Sequence, residues 1–209
     1  MEQQRLVKLG GLLFALSGAI TFIATLVHPS AVDANAMQSA MWKPAHMGLM
    51  IAQLLALPGL AVLHVRLVKK GGIPALAGYV LAMIGTGLYV SGAFAEAAIM
   101  PTAMYAKADF APFSAVMTQL NLAAAPAFGI GYALTAVASY RSGLLPRAAS
   151  IMLGAGAVAM NLIALVGSGA ALVVALPASG LFFAAAQVWY GVAMTGKGSF
   201  LKGVDLPEK

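Results

Sequence analysis

The chain has no cysteine among its 209 residues. That excludes thiolate ligation, iron–sulfur clusters, covalently attached c-type haem and disulfides. Charge is scarce too: 9% of the residues are charged, against about a quarter in soluble domains. There are only three histidines. This is too few for a membrane di-iron oxygenase, and it leaves no four-histidine set for a two-haem cytochrome. No lysine falls in the middle of an apolar run, which argues against a retinal Schiff base. No helix is studded with arginines for voltage sensing. The pairs Gly10-Gly11 and Gly71-Gly72 lack the spacing of a phosphate-cradling loop.

Apolar residues are what the chain has in excess. They make up 61% of it, and the mean hydropathy is +0.91. A core built from a chain this short cannot hide so much apolar surface, so lipid must act as part of the solvent. Runs long enough to cross a bilayer fall at about 6–28, 45–65, 73–96, 113–139, 147–168 and 172–194. The expected fold is an all-α integral membrane protein: one six-transmembrane-helix bundle over residues 1–209. The first run, Leu6 to Val27, is longer than a signal-peptide core. It ends at His28-Pro29 rather than at a small-residue cleavage site, so it reads as a span. Pro177 either opens the sixth helix or kinks it just after the Gly167-Ser168-Gly169 turn.

A net charge of +6 would suit nucleic acid if the basic residues formed one patch. They form short clusters between apolar runs instead, so no nucleic-acid partner is expected. Arg5, Lys8, Arg66, Lys69, Lys70, Arg141, Arg147, Lys197, Lys202 and Lys209 fall on one side of the bundle, and only Lys43 and Lys107 on the other. Basic residues concentrate on the cytoplasmic face. Both termini are therefore expected in the cytoplasm and the chain in the cytoplasmic membrane of a prokaryote, with Asp33, Glu96 and Asp109 toward the outside.

The three outward-running spans begin alike. Aligning Gly11, Gly78 and Ser150 also aligns Gly18, Gly85 and Ala157, a pattern that three repeated helical hairpins would produce. Each span also carries one small or polar stripe at helical spacing, and these stripes are expected to face one another. They include Ser17, Thr21, Thr25 and His28 on the first span, His46, Met50 and Gln53 on the second, and Gly78, Gly85, Tyr89, Gly92 and Glu96 on the third. The fourth carries Asn121, Ala125, Phe128 and Tyr132. The fifth carries Ser150, Gly154, Ala157 and Asn161, and the sixth Gly180, Gln187 and Gly191.

Three ionisable residues meet at one level of this arrangement. His28 closes the first span at the outer side, His46 opens the second there after Trp42-Lys43-Pro44, and Glu96 closes the third. An ionisable group at the membrane is by default a functional hypothesis. The competing reading is three interfacial side chains that simply reach headgroups and water. If the cluster holds a ligand, the chemistry allows haem b with His28 and His46 as axial ligands. It also allows a metal ion bound by His28, His46 and Glu96, a set suited to zinc or iron. The outer methionines Met37, Met41, Met47, Met50, Met100, Met104 and Met117 add a copper variant. A quinone headgroup under Trp42 and Tyr105 is a third possibility. His64 follows His46 by five helical turns, about 27 Å away, with only a methionine such as Met152 or Met194 as a conceivable partner.

The function expected from these residues is a small haem- or metal-binding redox protein, or such a subunit of a larger membrane complex. Its partners would be the bilayer, other membrane subunits or a quinone. The alternatives are an accessory subunit with no cofactor of its own, and a transporter of a small or lipophilic molecule.

Overall fold

The computed structural model describes residues 2–29, 34–105, 111–166 and 174–196, and every regular element among them is helical. Asp33, Lys107, Asp109, the Gly167-Ser168-Gly169 turn and Lys197, Lys202 and Lys209 lie outside the described residues, as does the side chain of Tyr105.

Helix α1 (Glu2–Val27) stops just before His28-Pro29. A proline ring crowds the residue before it out of the helical region, so His28 sits in a bend off the helix end. A single turn, α2 (Ala34–Met37), leads to α3 (Trp42–Phe94), 53 residues long. Pro44 is tolerated in the first turn of α3, where no backbone N–H is needed.

Run straight, α3 would span about 80 Å. Yet Trp42 at its start is hydrogen-bonded to Glu96 just beyond its end, and His64 stacks on Tyr79. α3 is therefore two antiparallel arms. The reversal occurs at Gly72, whose φ of 56° and ψ of −143° are non-helical and are adopted readily only without a Cβ. Pro74 then opens the second arm.

A π-turn (Ala95–Ile99) and α4 (Met100–Tyr105) follow. They are succeeded by α5 (Ala111–Ser142), α6 (Arg147–Val166) and α7 (Leu176–Thr195). Pro177 stands at the first positions of α7 and opens that helix rather than kinking it.

The expectation of an all-helical chain with several membrane-length helices is met. Glu2–Val27, Trp42–Ala103, Ala115–Ser142 and Leu176–Thr195 are long and apolar enough to cross a membrane, while Arg147–Ile163 is apolar but shorter. Length and composition thus support four such segments, one of them the folded-back α3, and do not by themselves yield six crossings.

Packing closes a ring: α1 lies against α3 and α7, α3 against α5, α5 against α6, and α6 against α7. Phe14, Phe128, Tyr132, Phe183 and Tyr190 fill the centre and are fully buried. Ile23, Val65, Ile130 and Phe182 stay exposed on outward faces, as side chains meeting acyl chains would.

The small stripe of the second α3 arm faces α5. A Cβ on Gly78 would come within 2.6 Å of the Thr135 backbone nitrogen, and one on Gly85 would collide with the backbone of Phe128. Gly11, aligned with Gly78 in the repeat, meets α7 at Met194 and Gly191. Ser150, the third aligned residue, accepts a hydrogen bond from Tyr190 of α7. Gly11 and Ser150 thus both meet α7, whereas Gly78 meets α5.

Most stripe residues turn inward, including Ser17, Thr21, His46, Gln53, Tyr132, Asn161 and Gln187. Asn121 does not; it is exposed. Met117, Ala124 and Phe128 of the same helix are buried, so the inward face runs on through Pro126 without Asn121. Two of the buried amides pair between helices: Tyr89 donates to Asn161, and Gln187 donates to Ser17 at 3.4 Å.

Candidate functional site

The chain brings His28, His46 and Glu96 together. Nε2 of His28 lies 3.2 Å from Nε2 of His46, and Nε2 of His46 lies 3.3 Å from Oε2 of Glu96. The contacts run from His28 to His46 to Glu96, with one nitrogen of His46 common to both. Among the described residues, no group of three or more His, Cys, Asp or Glu side chains is arranged as it stands to hold a metal ion.

Local structure explains how each ring is aimed. The bend before Pro29 turns His28 back, and its Nδ1 donates to the Pro29 carbonyl at 2.8 Å. His46 stands one helical turn after Trp42, and its Nδ1 donates to the Trp42 carbonyl at 2.8 Å. A carbonyl oxygen has two lone pairs, so it can take the ring N–H in addition to its place in the helix ladder. Burial is almost complete at His46, which is 3% exposed.

Hydrogen-bond partners assign the tautomers. A carbonyl can only accept, so each Nδ1 carries the hydrogen. In the neutral ring each Nε2 then presents a lone pair. Two lone pairs 3.2 Å apart, with a carboxylate oxygen beside one of them, repel unless a cation lies between: a proton or a metal ion. Fixing the second ring nitrogen on a backbone carbonyl is also how metal-ligating histidines are held in orientation.

The geometry separates the two ligands expected from the sequence. Axial ligation of haem places the nitrogens on opposite faces of a porphyrin, about 4 Å apart at bonds of about 2 Å each. Here the nitrogens are closer than that, and the ring centroids are only 4.7 Å apart. No porphyrin fits between His28 and His46, so the haem b expectation does not suit this site. Two nitrogens bound tetrahedrally to one ion at about 2.0–2.1 Å lie about 3.3–3.4 Å apart. The observed 3.2 Å and 3.3 Å are close to such an edge.

Trp42 belongs to the site in a way its sequence position did not reveal. Its ring is 4.2 Å from that of His46 and 6.0 Å from that of His28, centroid to centroid. Its indole N–H donates to the backbone carbonyl of Glu96 at 2.7 Å. From the sequence it reads as a residue of the interfacial aromatic belt; the i,i+4 spacing of Trp42 and His46 was the available signal.

His64 takes no part. It stacks on Tyr79 near the Gly72 reversal, with centroids 4.2 Å apart. Among the outer methionines, Met41 is exposed and Met117 is buried. No family model matches the chain, and no curated protein or solved structure compared with it matches either.

Proposed function

We propose that this chain is a membrane-embedded metal-binding protein that acts as a redox subunit of a larger membrane complex. A first-row divalent ion is held between His28 and His46, with Glu96 as the third ligand. The observation that carries this reading is the pair of facing Nε2 atoms, 3.2 Å apart, each with its Nδ1 committed to a backbone carbonyl. Two imidazoles and one carboxylate with open positions form the set that non-haem iron uses, and zinc accepts it as well. Iron gives the site its redox role. A modest swing of the Glu96 side chain, which is 29% exposed, brings its carboxylate to the same ion.

The bundle crosses the membrane six times in this reading: α1, the two arms of α3, α5, α6 and α7. The basic clusters place both termini in the cytoplasm, which puts the histidine pair at the outer mouth. The lipid bilayer is one partner, and a neighbouring membrane subunit or a quinone exchanges electrons with the ion.

The test is metal content. Protein purified in mild detergent should hold about one iron per chain, or take it up when offered; zinc alone would keep the metal site and remove the redox role. His28→Ala and His46→Ala should each abolish that binding. Wild-type protein that neither retains nor takes up either ion would sink the proposal, leaving the pair as a structural contact bridged by a proton.

A further inference from the structure

The π-turn beneath Glu96 leaves one backbone carbonyl without its regular donor. In a π-turn each carbonyl accepts from the N–H five residues on, and Ala95 does so from Met100. The next carbonyl, that of Glu96, would pair in the same register with the N–H of residue 101. That residue is Pro101, which has no N–H. A buried carbonyl left unpaired costs about as much as a lost hydrogen bond. The indole of Trp42, itself 1% exposed, supplies the missing donor at 2.7 Å.

We propose that Trp42 is the positioning residue of the site: its indole N–H replaces the donor that Pro101 lacks, locks the π-turn in register and so holds the Glu96 carboxylate against His46. The same residue receives the Nδ1 hydrogen of His46 on its backbone carbonyl. One residue therefore sets the orientation of both the second imidazole and the carboxylate. A π-turn is an uncommon element that recurs at functional sites. Here the sequence Glu96-Ala97-Ala98-Ile99-Met100-Pro101 makes that turn depend on a side chain 54 residues away.

The affinity arm of the test rests on the metal-binding reading above; a second arm does not. In the first, Co²⁺ is titrated into the metal-free protein and its visible ligand-field bands are followed. Trp42→Phe keeps an aromatic ring beside His46 but removes the donor. It should weaken Co²⁺ binding by about 10–100-fold, to the level of Glu96→Gln. Combining it with Glu96→Gln should cost nothing further, because both remove one coupled contribution. Pro101→Ala restores a backbone N–H at position 101, so Trp42→Phe/Pro101→Ala should recover the wild-type affinity and bands.

The second arm needs no metal. The chain has no native cysteine, so alkylation of a Glu96→Cys variant reports on that position alone. Adding Trp42→Phe should speed alkylation several-fold, and adding Pro101→Ala as well should slow it again. Unchanged affinity and alkylation in Trp42→Phe would overturn the inference. So would failure of Pro101→Ala to rescue either readout, or loss of folding both with and without it, since Trp42 would then act through packing. If the wild-type protein binds no Co²⁺, the metal-binding reading falls and the alkylation arm alone decides the role of Trp42.

Discussion

His28 and His46 point their Nε2 atoms at each other across 3.2 Å, and each ring is locked from behind by a backbone carbonyl. The two carbonyls belong to Trp42, the first residue of α3, and to Pro29, two residues past the end of α1. The facing nitrogens are thus preset by backbone geometry rather than by flexible side-chain contacts, and preset ligands lose less freedom when a cation binds.

His64→Ala provides the control for the metal site. His64 lies at the opposite end of the first α3 arm against Tyr79. Its removal should leave metal content unchanged while His28→Ala and His46→Ala abolish it. Equal loss in all three variants, read by elemental analysis, would mean that the binding is nonspecific.

Close packing of the second α3 arm on α5 predicts a sharp contrast. Gly85→Leu must displace the backbone of Phe128. It should lower stability in detergent by about 1–3 kcal/mol or more. Leu81→Ile, a volume-conserving change at a half-buried position, should cost less than about 1.5 kcal/mol. Thermal unfolding of the two variants makes the comparison, and equal tolerance would show that α3 and α5 do not approach this closely.

The sidedness of the site is open to chemical labelling. Lys43 and Lys70 are both exposed, at opposite ends of the first α3 arm. In intact cells a membrane-impermeant thiol reagent should label Lys43→Cys, whereas Lys70→Cys should react only after permeabilisation. The reverse pattern would move the histidine pair to the cytoplasmic face.

Phe14 tests the centre of the ring. It is fully buried, lies against Gly59 and has its ring centroid 6.3 Å from that of Tyr190. Phe14→Ala should cost about 3–5 kcal/mol through the cavity it leaves without altering metal affinity, because 14 residues of helix place it about 20 Å along α1 from His28. A variant as stable as the wild type would show that this core is not packed around Phe14.

Helix content and most inward faces were legible in the residues themselves. Long apolar runs have one way to satisfy their backbone in lipid, which is to coil. Polar and small residues in such runs turn toward one another, as Ser17, Gln53, Asn161 and Gln187 do. His28, His46 and Glu96 could be grouped because each ends or begins a run on the same side. Asn121 is the exception: burial along α5 follows Met117, Ala124 and Phe128, and helical spacing alone does not tell which residues a neighbouring helix covers.

Distances between side chains were not legible, and they decide the chemistry. Sequence spacing placed the two histidines at one level but left a porphyrin and a single ion equally admissible. Only the tertiary arrangement, through the bend before Pro29 and the reversal at Gly72, brings the nitrogens to 3.2 Å, closer than the about 4 Å between axial haem ligands. The bond from Trp42 to Glu96 was hidden for the same reason. Composition and periodicity are local properties of the chain and determine that it is helical and apolar. A hydrogen bond across 54 residues exists only once the two arms of α3 have folded back and a proline has left one carbonyl in need of a donor.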